Sequence, residues 1–173
     1  MQSLDGIREK LSGAQAAFCR AADEIPSNKW AMQPGPDEWS AAEVVAHLVM
    51  VERAVVGKAD SLAQKRPLPI SRLKRLHLPV WLVEMRVTRR KSPLPLDANL
   101  LGEKETMLGL LRGARERTFA FLSDTENRNL SAYYWRHPFL GMLSTYEWME
   151  MLAAHQIRHA KQVREIHGKI SRK

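Results

Sequence analysis

The sequence predicts an all-α protein: a four-helix bundle with one long crossover connection that carries an extra short or kinked helix. Four stretches repeat apolar residues at spacings of three and four, which is the period of an amphipathic helix. Two of them begin with a Ser-x-x-Glu capping box. We find no strand pattern of any length. A chain of 173 residues has the usual size of one domain, so we expect residues 1–173 to form a single helical domain.

The first two helices have well-marked patterns. We expect the first from about Ser3 to Asp23, with a stripe of Ile, Leu, Ala and Phe on one face. The second is expected from Ser40 to about Gln64, where prolines follow. Glu43 closes its capping box, and Trp39 and Val44 have the spacing of a hydrophobic staple, which fixes how the chain enters a helix.

The middle of the chain is less regular. Residues 70–91 have helical spacing, but Pro79 interrupts it, which predicts either one kinked helix or two short ones. Residues 92–97 have the Pro-rich composition of an extended crossover. A third long helix is expected from about Leu100 to Asp124, with a leucine stripe facing the core. Its solvated side is predicted to carry Arg112, Arg115, Glu116 and Arg117.

The last helix carries two histidines on its apolar face. Ser144 and Glu147 form the second capping box, and the stripe that follows contains Trp148, Leu152, Val163 and Ile166. His155 and His159 fall in this stripe, where a leucine would be usual. Residues four apart lie one turn apart on the same face, so both imidazoles can reach a single ion.

A third histidine occupies the same frame on the second helix. His47 follows its cap Ser40 by seven residues, and His155 and His159 follow their cap by eleven and fifteen. At about 100° per residue, these positions lie within roughly 80° of the fourth helical residue, which faces the core. Two interpretations follow: core histidines satisfied by hydrogen bonds, or a three-histidine metal site. The single cysteine, Cys19, has no partner at metal-ligand spacing that would close such a site.

The order and spacing of these motifs resemble the DinB/YfiT-like family of metal-dependent enzymes. The matching pieces are residues 37–40 with His47, His137-Pro-x-x-Gly141, Glu147-Trp148, and His155-x-x-x-His159-x-x-Gln162. The resemblance implies a four-helix bundle, commonly a homodimer, in which the three histidines bind a divalent ion such as Zn²⁺ or Ni²⁺. It further implies that the site activates a low-molecular-weight thiol or water, for transfer to or hydrolysis of a small organic substrate.

Other polar residues near these motifs have two possible roles each. The second ring nitrogen of a metal-binding imidazole normally bonds to a polar group that orients the ring. Glu43, Glu150 and Gln162 flank the histidines, although Glu43 is expected to be occupied by its cap. Arg158 is expected either in solvent or against a substrate carboxylate. His137 is expected in a structural turn or at the site entrance. We predict no ligand role for His77 and His167, name no catalytic residue, and expect the tryptophans to pack in the core.

The net charge of +8 is concentrated in one segment. Residues 64–91 contain nine basic residues and one acid, Glu84, whereas the remainder has equal numbers of each sign. Three interpretations remain open: a solvated arm that also packs in a dimer, an anion-attracting entrance to the site, or a surface for nucleic acid or a membrane. The last belongs to an alternative function, a non-catalytic metal- or ligand-binding bundle whose basic segment contacts an anionic partner.

The composition also predicts a compartment. One cysteine cannot form an internal disulfide, which suits a reducing environment. The first residues are charged where a signal peptide is apolar, and no apolar run approaches the roughly 20 residues of a membrane span. We therefore expect a cytoplasmic protein.

Overall fold

Four long helices form the bundle in the computed structural model, which describes residues 3–85 and 96–172. Helix α1 packs along α4 and α2 packs along α3, so the all-α prediction is confirmed. No helix in the described ranges is long and apolar enough to cross a membrane. The helices are α1 (Leu4–Asp23), α2 (Ala41–Ala63), α3 (Lys104–Asp124) and α4 (Thr145–Ile170).

Both predicted capping boxes are present, and they fix where the two histidine-bearing helices begin. Ser40 Oγ accepts from the Glu43 backbone N–H at 3.2 Å, and a Glu43 carboxylate oxygen accepts from the Ser40 N–H at 2.7 Å. Ser144 and Glu147 repeat this arrangement on α4, at 3.4 and 2.7 Å. Each box satisfies backbone N–H groups that the first turn leaves unpaired. The cap thereby sets which face of each helix the histidines occupy.

The crossover between α2 and α3 contains short 3-10 helices rather than one kinked helix. They span Arg72–Arg75, Val80–Glu84 and Ala98–Leu100. Pro79 is the N-cap residue of the second of them, so it lies before the helix and does not interrupt it. Of the predicted extended stretch 92–97, residues 92–95 lie outside the described residues, as do the cations at positions 86, 89, 90 and 91.

A small antiparallel hairpin, absent from the sequence prediction, precedes α4. Strand β1 (Tyr134–His137) pairs with β2 (Gly141–Ser144), so that His137 lies opposite Gly141. Gly141 has a φ of +102°, and a Cβ there would lie 3.2 Å from the carbonyl oxygen of Leu76. Strands of four residues are too short to show an alternating pattern, which explains why the sequence did not indicate them.

The core contains a buried ion pair, one member of which was predicted in solvent. Arg115 was predicted on the solvated side of α3, but it is only 2% exposed. Its guanidinium contacts both carboxylate oxygens of Glu52 at 2.7 and 3.1 Å, the Leu11 carbonyl at 2.7 Å and the Gln156 side chain at 2.8 Å. Thr118 Oγ1 donates to Glu52 at 2.6 Å. This network joins all four helices, which is why Arg115 can be buried.

Candidate metal centre

The structure brings the three predicted histidines together between α2 and α4. His47 Nε2 lies 3.2 Å from His155 Nε2, and His159 Nε2 lies 3.0 Å from the same atom. His47 and His159 are buried, and the rings of all three meet edge to face. The staple residue Trp39 packs on His47, with ring centroids 5.1 Å apart. Three nitrogen donors therefore point at one position.

The donor set fits a small divalent cation. Zinc binds histidine nitrogen at 2.0–2.1 Å, and tetrahedral ligands at that distance lie about 3.3 Å from one another. The observed separations of 3.0 and 3.2 Å are close to this value. His159 Nδ1 donates to Gln162 Oε1 at 2.8 Å, which leaves its Nε2 lone pair directed at the other rings. The cluster can accordingly hold a metal ion.

Burial keeps these imidazoles in the form that a metal requires. Desolvation lowers the pKa of His47 to about 4. It also lowers the pKa of His155 and His159 well below the usual value, and the neighbouring imidazoles and the Arg158 charge lower both further. Ligating histidines must be neutral, so protons compete weakly with a metal here near neutral pH.

The three candidate orienting groups make different contacts. Gln162 contacts His159, as described above. Glu43 is occupied by its capping box and also accepts from Gln33. Glu150 forms an ion pair with Lys10 on α1. Among the three, only Gln162 is placed to orient an imidazole of the cluster.

The remaining histidines lie outside the cluster. His137 Nδ1 accepts from the backbone N–H groups of Phe139 and Leu140, both at 3.1 Å, and its ring packs on Trp148. It serves the turn of the hairpin and also lines the cavity beside the cluster. His77 contacts Glu147 at 2.8 Å, and His167 lies 3.7 Å from Glu24.

A cavity of about 1430 Å³ adjoins the three histidines. Its apolar wall comes from α2, α4, the hairpin and the crossover. Trp135 and Trp148 stack in this wall with ring centroids 4.9 Å apart, and Trp148 is buried in the core as predicted. Trp30 is buried as expected, whereas Trp81 is exposed. The apolar lining includes Trp39, Val51, Val55, Leu78, Leu82, Val83, Met85, Trp135, Phe139, Leu140, Trp148, Met151 and Ile166.

Arg158 supplies positive charge to the same cavity. It is half-buried, and its guanidinium donates to the carbonyl oxygen of Met85 in the crossover. Its charge contributes to lowering the pKa of His155 and His159. Of the two placements left open by the sequence, the structure shows Arg158 at the cavity rather than wholly in solvent.

This chain is similar to a known protein family and to an uncharacterised bacterial protein. The family model described as the DinB superfamily matches residues 10–163. The chain is also 26% identical over 155 residues to YuaE, an uncharacterised protein of Bacillus subtilis (strain 168), and the match covers 86% of this chain and 89% of the relative. No solved structure gives a significant match.

Proposed function

This chain belongs to the DinB superfamily, and we propose that it is a metal-dependent enzyme whose cofactor, Zn²⁺ or Ni²⁺, is held by His47, His155 and His159. The observation that carries this proposal is the convergence of three neutral Nε2 donors beside a large apolar cavity. Three protein ligands are the number found in catalytic zinc sites, whereas structural sites have four.

Each part of the site has a chemical role in this proposal. A divalent ion supplies Lewis acidity, which favours the anionic form of a thiol or water beside it. Three neutral imidazoles leave the charge of that ion undiminished, and Gln162 holds His159 in the required tautomer. The tryptophan-lined wall suits the carbon skeleton of a small organic substrate.

One cation of the cavity wall is adjacent to a histidine of the cluster, although Asp37, Glu38, Glu43 and Glu165 also line the cavity. Arg158 is the cation nearest to His159 along α4, and it faces the cavity. Guanidinium groups pair well with carboxylates. We therefore propose that the thiol or its acceptor carries a carboxylate, and that the reaction is a thiol transfer or a hydrolysis.

The test is a turnover screen on metal-loaded protein. A panel of low-molecular-weight thiols is incubated with carboxylated and uncharged electrophiles, and thiol loss is followed with time. We expect thiol-dependent turnover that falls at least about 100-fold in His47→Ala, while the matched variant His167→Ala, far from the cluster, retains it. Turnover that survives in His47→Ala, His155→Ala and His159→Ala alike would contradict the proposal.

A second candidate function is a non-catalytic metal- or ligand-binding bundle whose basic segment contacts an anionic partner. The crossover favours it, because its exposed surface is both basic and apolar. Metal binding without turnover against any thiol or ester, together with binding to an anionic partner, would favour this candidate.

A further inference from the structure

The crossover exposes an unusual amount of apolar surface. Nine large hydrophobic side chains are exposed among the described residues, and six of them lie within residues 68–85. Leu68, Leu73 and Leu76 are 80%, 79% and 74% exposed, values that leave almost the whole side chain in water. Leu68, Leu73 and Leu76 line one groove, and exposed apolar side chains grouped in this way mark an interaction site. We call these six residues the crossover patch: Leu68, Leu73, Leu76, Leu78, Trp81 and Met85.

Positive charge surrounds this patch. Residues 64–85 contain five cations and a single acid, Glu84. Lys65, Arg66 and Arg136 line a groove of about 1110 Å³ together with Leu68, Leu73 and Leu76, and none of the described residues that line it is acidic. Arg75 lies 5.2 Å from the centre of the Tyr134 ring, which holds that cation against the hairpin.

Hydrogen bonds tie the patch to the bundle. The Leu78 N–H donates to the Leu140 carbonyl at 2.8 Å, and His77 contacts Glu147 at 2.8 Å. At the other end of this segment, Lys161 donates to the Glu84 carbonyl at 3.2 Å. The apolar side chains are therefore presented on a fixed support, which lowers the entropy lost when a partner binds.

The charge and the residue types of the patch distinguish three possible partners: a second copy of the chain, a nucleic acid and a lipid bilayer. In a symmetric dimer the same patch would face itself, so its cations would oppose those of the second copy. Stacking on aromatic rings would favour a nucleic acid, but Trp81 is the single aromatic residue among the six patch residues. Protruding aliphatic side chains and a tryptophan among Lys and Arg are the composition of a surface that enters the boundary between headgroups and acyl chains.

We propose that the crossover patch docks this protein onto an anionic lipid bilayer. The leucines and Trp81 enter the interface, while Lys65, Arg66 and Arg75 contact anionic headgroups. Leu78 and Met85 belong to the wall of the large cavity as well as to the patch. Docking therefore holds that part of the cavity wall at the bilayer surface.

Vesicle sedimentation of the full chain tests this proposal. Vesicles of phosphatidylglycerol and phosphatidylcholine (1:1) are compared with vesicles of phosphatidylcholine alone, at 0.1 and 0.5 M salt. We expect binding to the anionic vesicles only, weakened at the higher salt. Leu68→Ser/Leu73→Ser and Lys65→Glu/Arg66→Glu/Arg75→Glu are each expected to lower the partition coefficient by at least about tenfold.

Two matched controls separate the patch from general properties of the chain. Met32→Ser/Leu101→Ser removes two exposed apolar side chains elsewhere, and Arg20→Glu/Arg117→Glu/Arg164→Glu makes the same change in net charge on α1, α3 and α4. Both should bind within about twofold of the parent, and circular dichroism checks that every variant folds. Absence of binding to anionic vesicles, or equal losses in the control variants, overturns the proposal. So does preferential binding to duplex DNA, or self-association abolished by Leu68→Ser/Leu73→Ser without vesicle binding.

Discussion

His159 and His137 both line the large cavity. The Nδ1 atom of His159 contacts a hydrogen-bond acceptor, whereas that of His137 contacts two donors. His159 Nδ1 donates to an amide oxygen, so its Nε2 carries a lone pair. His137 Nδ1 accepts from two backbone N–H groups, so its proton lies on Nε2. At the scale of single residues, this difference suits His159 to ligation and His137 to the turn. Sequence spacing distinguished the two through their positions in a helix and a loop, but it gave no access to their tautomers.

Protonation of His137 is expected to destabilise the folded protein at low pH. Burial lowers its pKa to about 4, below the value of about 6.5 in an unfolded chain. The unfolded state therefore takes up a proton first, so this residue makes the protein less stable as pH falls from about 6.5 towards 4. Nitrogen-15 NMR should show a neutral imidazole with its proton on Nε2 at pH 6.

His137→Asn is the matched variant, because an asparagine oxygen can accept the same two backbone N–H groups. The loss of unfolding free energy between pH 6.5 and 4 should be smaller in this variant than in the parent. Equal losses in the two proteins, or an imidazolium signal from His137 at pH 6, would be inconsistent with the assignment.

At the scale of elements, the apolar period of α3 predicts a buried residue at position 115, whereas the charge of Arg115 predicts an exposed one. Leu108, Leu111, Arg115, Thr118 and Leu122 follow one another at spacings of three and four, so the period places Arg115 on the core face. Its charge nevertheless led us to predict solvent exposure, because the sequence does not show that Glu52, 63 residues away, pairs with it. The capping boxes were predictable because all their partners lie within three residues. The hairpin was missed because its strands of four residues are too short to show a pattern, and the ion pair because its partners are far apart in sequence.

The buried network should be essential for stability. Arg115→Met leaves Glu52 as an uncompensated buried charge, and this kind of change costs about 3–5 kcal/mol. Arg117→Met, an exposed change two residues along the same helix, should stay within about 0.5 kcal/mol of the parent. Urea unfolding followed by circular dichroism measures both. A loss below about 1 kcal/mol in Arg115→Met would show that the network does not hold the helices together.

At the scale of the whole molecule, the bundle unites histidines from two helices that are more than 80 residues apart in sequence. That all three face the core was predictable, because each helix start is marked and the helical period fixes the facing of every later residue. That they meet at one position was implied by the family resemblance and not by the period. The cavity was not predictable, since its wall includes the irregular crossover and the hairpin. The exposure of the crossover patch is likewise a property of the folded molecule, although its charge was evident from the sequence.

Metal content of untagged protein, purified without chelator and measured by mass spectrometry, tests the central claim most directly. We expect about one divalent ion per chain in the parent and little in His155→Ala, while His137→Ala, which alters a cavity histidine outside the cluster, keeps the parental content. The parent should take up Zn²⁺ or Ni²⁺ on titration and gain stability from it, by about 2.7 kcal/mol at a free concentration one hundred times the dissociation constant. Parent protein that contains no metal and takes up neither ion would contradict the three-histidine site.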